Sequence, residues 1–187
     1  PTSANAHPHI SGDRVALVHN GIIENHASLR DALRAQGVEF RSETDTEVIV
    51  HLINTSLERG ASLFDAVRET VAQLKGAYAI AVVDTEHENE VVVAREGSPL
   101  VLGVGIGETF AGSDTLALRQ VTDTFVYLED GDFAVLKPSG YQIFDVSGAP
   151  VVREKTRLKG GDNRTDRGGF EHYMLKEIYE QPDRLRD

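Results

Sequence analysis

Cysteine is absent from all 187 residues. That excludes disulfides, thiolate metal sites and any thiol nucleophile supplied by this chain. Long apolar runs are missing too. None reaches the roughly 20 residues needed to span a bilayer, and no charged-then-apolar leader opens the chain. Nor is there an excess of positive charge: 19 Lys and Arg face 30 Asp and Glu, a net charge of −11. The acids are spread along the chain, and such a surface repels phosphate backbones. Neither nucleic acid nor a membrane is therefore an expected partner.

What is present is a chain that is 40% apolar, enough for one sizeable core and too little for two comfortable domains. It opens on Pro1, in "PTSANAHPH", and the expectation is a fragment or a processed product.

Three helices are expected first. Asn25 is placed to cap a helix carrying Leu29, Ala32 and Leu33 and stopped by Gly37. Val38 and Phe40 then alternate as in a short strand. In "SETDTEVIVHLINTSLERG", Thr44 and Glu47 have capping-box spacing, and Val48, Ile49, Leu52, Ile53 and Leu57 form one apolar stripe ending at Gly60. A third helix is expected from Ser62, with Leu63, Val67, Val71 and Leu74 inside and Gly76 closing it.

Beyond Gly76 the period changes. "AYAIAVVD", "EVVVARE", "PLVLGVG" and "TFAGSD" are short and rich in β-branched residues, as strands are. "FVYLEDGDFAVLK" predicts a hairpin around Asp130-Gly131, and "GYQIFDVSGAPVVRE" another around Ser147-Gly148. Helices followed by antiparallel strands argue for α+β layering. Residues 159–169, "KGGDNRTDRGG", read as a polar loop, and "FEHYMLKEIYEQPDRLRD" as helical up to Glu180 with a break at Pro182.

Several constellations carry chemistry, each with a plainer reading beside it. "RVALVHNGIIENH" places Asn20-Gly21 between apolar pieces, the signature of a tight hairpin turn. The same pair can form an oxyanion hole, with a carboxamide and a glycine N–H both donating to a carbonyl oxygen that becomes tetrahedral. Asp45 sits in the first turn of a helix, where an acid complements the macrodipole by about 0.3–1 kcal/mol. It is also a rigidly held carboxylate suited to a substrate ammonium. His7 and His9 alternate as metal ligands do, but no clear third ligand accompanies them. His51, His87 and His172 read as helix surface, turn and connector. The glycines of "VLGVGIGETF" precede a strand-like segment rather than a helix, so they predict a β-turn and not a dinucleotide site. No G-x-S-x-G elbow is present.

"VHNGIIENHASLRDAL" together with "SETDTEVIVHLI" resembles the glutaminase domain of the glutamine–fructose-6-phosphate amidotransferases. "GAYAIAVVD", "REGSPLVLGVG" and "HYMLKEIYEQP" fit that family in the same order, and the last resembles its connector to a sugar-phosphate isomerase domain. The resemblance implies an α+β fold, the four-layer αββα sandwich of N-terminal-nucleophile hydrolases, incomplete at its N-terminus. Residues 1–171 would be a class II amidotransferase domain lacking its first part, and 172–187 a connector.

The resemblance also implies roles. Asn20 and Gly21 match the oxyanion-hole pair, Asp45 the carboxylate that binds the α-amino group of L-glutamine, and His7 a histidine near that pocket. The family's cysteine nucleophile has no counterpart in this chain, so the chain alone is expected to be inactive. No metal or other cofactor is implied. The expected partners are L-glutamine, the isomerase domain of a parent chain, and further copies of that parent in a homo-oligomer in the cytoplasm. Two alternatives stay open: a non-catalytic glutamine-binding or interaction domain, and a class II amidotransferase with another acceptor.

Overall fold

Period-two alternation of large apolar and small residues gives a strand two different faces, and two such strands form the centre of the larger sheet. The computed structural model describes residues 2–158 together with Met174, Ile178 and Tyr179. Contacts divide the chain into Pro1–Arg157 and Leu158–Asp187, and the architecture below is that of the first unit.

Strand β1 (His9–Ser11) runs into β2 (Val15–Ile23), and β2 lies antiparallel along the whole of β3 (Gly76–Asp84). Strands β4 (Val91–Glu96), β5 (Val101–Val104), β6 (Thr109–Gly112), β7 (Thr124–Tyr127), β8 (Phe133–Lys137), β9 (Gly140–Phe144), β10 (Pro150–Val151) and β11 (Lys155–Arg157) follow. They form a seven-stranded sheet ordered β1-β2-β3-β4-β8-β9-β10 and a four-stranded sheet ordered β11-β7-β5-β6, with every strand pairing antiparallel.

Alternation decides which residues meet which layer. Tyr78, Ile80, Val82, Val92, Ala94 and Phe133 face the helices α2 (Thr46–Glu58) and α3 (Leu63–Val71), whose Ile49, Ile53, Leu63 and Val67 are fully buried there. The alternate residues Ala79, Val93, Ala134 and Leu136 face the smaller sheet, where they meet Leu100, Leu102, Val126 and Leu128. Helix α1 (His26–Ala35) packs on α2, and the four-residue α4 (Thr115–Leu118) packs on β5 and β6. The layers therefore run helix, sheet, sheet, helix. This is the expected αββα order, with the fourth layer reduced to one short helix among the described residues. Among those residues no helix is long and apolar enough to cross a membrane.

Several local expectations hold. Ser62 caps α3 by accepting from the Asp65 N–H at 3.1 Å. β9 and β10 form a hairpin across Asp145–Ala149, and the β5–β6 connection is the glycine-rich turn, closed by Gly105 N–H to the Glu108 carbonyl.

Others are corrected. Two strands precede the helices. Asn20-Gly21 is no turn, because both residues lie inside β2, paired with Ala79 and Tyr78. Asp130-Gly131 does not close a hairpin either: β7 and β8 belong to different sheets, so this turn is a crossover between layers. Residues 38–40 form no strand. Helix α3 ends at Val71 and Gly76 opens β3. Asn25 stands at the cap of α1 without bonding to it; its carboxamide instead bridges the Gln73 carbonyl and the Lys75 N–H. The loop at 159–169 and the helix up to Glu180 lie outside the described residues, except that Met174, Ile178 and Tyr179 are helical.

Candidate active site

β2 is paired on one side for its full length and on the other only as far as Leu17, the partner of His9. From Val18 to Ile23 its second edge has no strand among the described residues. A strand edge presents unpaired N–H and C=O groups, ready to meet another chain or a ligand.

On this edge sit both residues of the candidate oxyanion pair. Asn20 lies on the face of β2 turned towards the second sheet; its carboxamide is exposed and forms no hydrogen bond among the described residues. Gly21 follows with φ +136°, and a Cβ there would lie 2.0 Å from the Ala77 carbonyl oxygen. No other residue fits: an L side chain would meet the β3 backbone as well as a disfavoured φ. So the glycine is demanded by the close approach of two strands, and it also leaves the edge unobstructed.

Asp45 reaches the same edge from the opposite element. It stands at the start of α2, yet its carboxylate does not cap that helix. Oδ2 instead accepts the Ile23 N–H at 2.7 Å, two residues beyond Gly21. Its other oxygen, Oδ1, accepts no hydrogen bond among the described residues. The expected capping box is also replaced. Glu47 is 4% exposed and accepts the N–H groups of Arg41 and Ser42, both at 2.7 Å, and the Ser42 hydroxyl at 2.6 Å. Burial pushes the Glu47 pKa up, but these donors outweigh it and hold the carboxyl below its ordinary range.

His7 is brought to this corner through Thr46, whose Oγ1 lies 3.4 Å from His7 Nε2 and 3.0 Å from His19 Nδ1. His9 Nε2 meets the Thr44 hydroxyl at 3.1 Å, and His51 Nδ1 meets the Ser11 hydroxyl at 2.8 Å. His51 is 9% exposed, so its reading as helix surface is corrected: nearly every side of α2 is covered. Burial lowers the pKa values of His9, His19 and His51 from 6.5. Among the described residues no group of three or more His, Asp or Glu is arranged around a common metal position.

His19 is the residue that sequence reasoning passed over. It is 5% exposed, bonded through Nδ1 to the hydroxyl beside Asp45, and left without a partner at Nε2. Its signal was strand alternation, since Val15, Leu17 and His19 share one face of β2. Reading Asn20-Gly21 as a turn hides that signal.

An unengaged carboxamide and an obligatory glycine thus stand beside a carboxylate with one oxygen unclaimed. Residues 2–120, which include all of these groups, match the family described as the glutamine amidotransferase domain. The chain belongs to that family.

Among curated relatives, the glutamine–fructose-6-phosphate aminotransferase (isomerizing) of Pseudomonas aeruginosa is 51% identical over 182 residues, 97% of this chain and 30% of that protein. The enzyme of the same name from Salmonella typhi is 49% identical over 187 residues, all of this chain and 30% of that protein. The chain thus spans less than a third of the relatives' length. A solved glutamine phosphoribosylpyrophosphate amidotransferase from Bacillus subtilis, complexed with ADP and GMP, superposes with a TM-score of 0.62 at 29% identity, covering 74% of this chain and 30% of its own. A structure described as the allosteric regulatory enzyme of purine biosynthesis gives 0.63 at 29%, covering 76% and 31%. The amidotransferase domain therefore has the fold that the resemblance implied.

Proposed function

We propose that this domain hydrolyses L-glutamine within a longer chain and supplies the ammonia for converting fructose 6-phosphate to glucosamine 6-phosphate, in amino-sugar biosynthesis. One observation carries the reading: the free Asn20 carboxamide, the Gly21 backbone and the Asp45 carboxylate all stand at one unpaired edge of β2. Asp45 takes the α-ammonium through the oxygen that Ile23 leaves free. Asn20 and the Gly21 N–H donate to the side-chain carbonyl oxygen as it becomes an oxyanion, and His7 borders the same pocket. A thiolate must attack that carbon, and none of the 187 residues can provide one. The nucleophile belongs to sequence outside these residues, and the chain alone does not turn glutamine over.

The acceptor follows from the relatives, which are about half identical and bear the name glutamine–fructose-6-phosphate aminotransferase. The phosphoribosylpyrophosphate enzyme is less similar, at 29%. A sugar-isomerase domain in the same parent, a homo-oligomer of that parent and a cytoplasmic location belong to this proposal.

The test is a split assay on the full amidotransferase. Asn20→Ala should lower glutamine-dependent synthesis by about 10²–10³ in kcat, the usual loss for one oxyanion donor, while synthesis from ammonium salts stays intact. Equal loss from both nitrogen sources, or no loss from glutamine, would remove the oxyanion role.

A further inference from the structure

Residues 36–45 contain no helix or strand, yet both sides of the segment's backbone are held. On the donor side, the Glu47 carboxylate takes the N–H groups of Arg41 and Ser42, each at 2.7 Å. On the acceptor side, Arg30 of α1 donates from Nη1 to the Ser42 carbonyl at 2.9 Å and from Nη2 to the Thr44 carbonyl at 2.6 Å. The same guanidinium lies 4.5 Å from the centre of the Phe40 ring, which meets His51 edge-on at 4.8 Å. The contact with Phe40 thus restricts the fork that grips the loop.

We propose that Arg30 is a positioning residue for glutamine recognition, setting the place of Asp45 by clamping the carbonyl that precedes it. The inference rests on the ammonium-binding role given to Asp45 above. Asp45 is held at two points. Its carboxylate meets Ile23 of β2, and its own peptide begins at the Thr44 carbonyl held by Arg30. A planar guanidinium spans two carbonyls two residues apart, whereas a lysine ammonium is a point charge without that fork. Arg30 makes no hydrogen bond to β2. Releasing it therefore displaces the ammonium anchor and leaves the oxyanion donors where they are. That separation predicts a defect in binding rather than in chemistry.

The experiment is steady-state kinetics of the full amidotransferase carrying Arg30→Gln, Arg30→Lys, Asp45→Asn, and Arg30→Gln with Asp45→Asn, with thermal midpoints measured alongside. Arg30→Gln should raise KM for glutamine on the order of ten- to a hundredfold, as loss of binding shared by ground and transition states does, with kcat held within about threefold. Arg30→Lys should fall between it and the parent. In the Asp45→Asn background Arg30→Gln should add nothing to KM, because the group it positions has gone.

A KM unchanged in Arg30→Gln but raised in Asp45→Asn would overturn the clamp alone. Additive effects of the two substitutions would overturn it as well. A KM unchanged in Asp45→Asn would instead remove the ammonium-binding reading beneath it. A fall in kcat together with the thermal midpoint, at constant KM, would mark Arg30 as purely structural and contradict the proposal.

Discussion

The two ends of this domain are held together by different physics. Between the sheets, Leu102, Val126, Val93 and Ala134 are fully buried and meet across strands that satisfy one another's backbone groups. Along the second edge of β2, from Val18 to Ile23, the backbone has no such ladder among the described residues. The segment before α2 is held by side chains instead: Arg30, Glu47, Thr44 and Thr46, with His7, His9 and His19 attached to the two threonines. Apolar packing tolerates a change of pH and suffers from a change of volume. A network of titratable groups does the reverse. The polar end is the end that carries the candidate site, so the groups that position it are individually removable.

The largest expected effect falls where the two kinds of cohesion meet. Gly21→Ala sets a methyl 2.0 Å from the Ala77 carbonyl oxygen, at φ +136°. Relief requires parting β2 from β3, and the expected loss is about 4 kcal/mol or more, in the range reserved for backbone conflicts in the core. Chemical denaturation measures it. A loss below about 1 kcal/mol would show that the two strands can separate there at little cost.

Next comes Leu102→Ala, between the sheets. A fully buried leucine loses transfer free energy and leaves a cavity, about 3 kcal/mol together. That loss should be the same at pH 6 and pH 7.5. A loss that varied with pH would mean the inter-sheet core is coupled to the titrating end.

The smallest effect belongs to the histidines themselves. Burial lowers the pKa values of His9, His19 and His51 below 6.5 in the folded chain. Their contribution is fully present above the unfolded value of 6.5 and is lost as pH falls through it towards the folded values. By linkage each can contribute at most about 0.8 kcal/mol of loss at pH 6. Unfolding at pH 6 should therefore take up protons. Proton release, or stability that rises on acidification across this window, would contradict the burial of these rings.

How much of this could be read from the chain depended on the range of the interaction. The presence of helices α2 and α3, the Ser62 cap and the β9–β10 hairpin rest on neighbours in sequence, and the expectations for them hold. The single apolar stripe expected on α2 does not, because nearly every side of that helix is buried. The Asp130-Gly131 turn misled because two strands joined by a tight turn need not share a sheet. Here Asp130 accepts the Gly97 N–H at 2.8 Å and stabilises a crossover instead. The Thr44–Glu47 spacing misled for a related reason. Glu47 does reach back to backbone N–H groups, but to those of Arg41 and Ser42, where an irregular loop needs it more than the helix does.

Asn20, Gly21 and Asp45 were legible as candidates because their residue types have few uses in that order. Their grouping is implied only by the family resemblance and not by local pattern, since in the fold it depends on Ile23 bonding to a residue 22 positions away. Arg30 is illegible for the same reason, as its partners Ser42 and Thr44 lie in an irregular segment outside its own helix. The alternation that marks His19 is instead hidden by the turn reading of Asn20-Gly21.

In the proposed function Asn20, Gly21 and Asp45 address one molecule. A crystal structure of the full amidotransferase with L-glutamate, the hydrolysis product, tests it most directly. The α-ammonium should lie within hydrogen-bond distance of Asp45 Oδ1, with the side-chain carboxylate turned towards the Asn20 carboxamide and the Gly21 N–H. L-Glutamate bound with its ammonium away from Asp45, or seated at a site that touches neither residue of the pair, would contradict it.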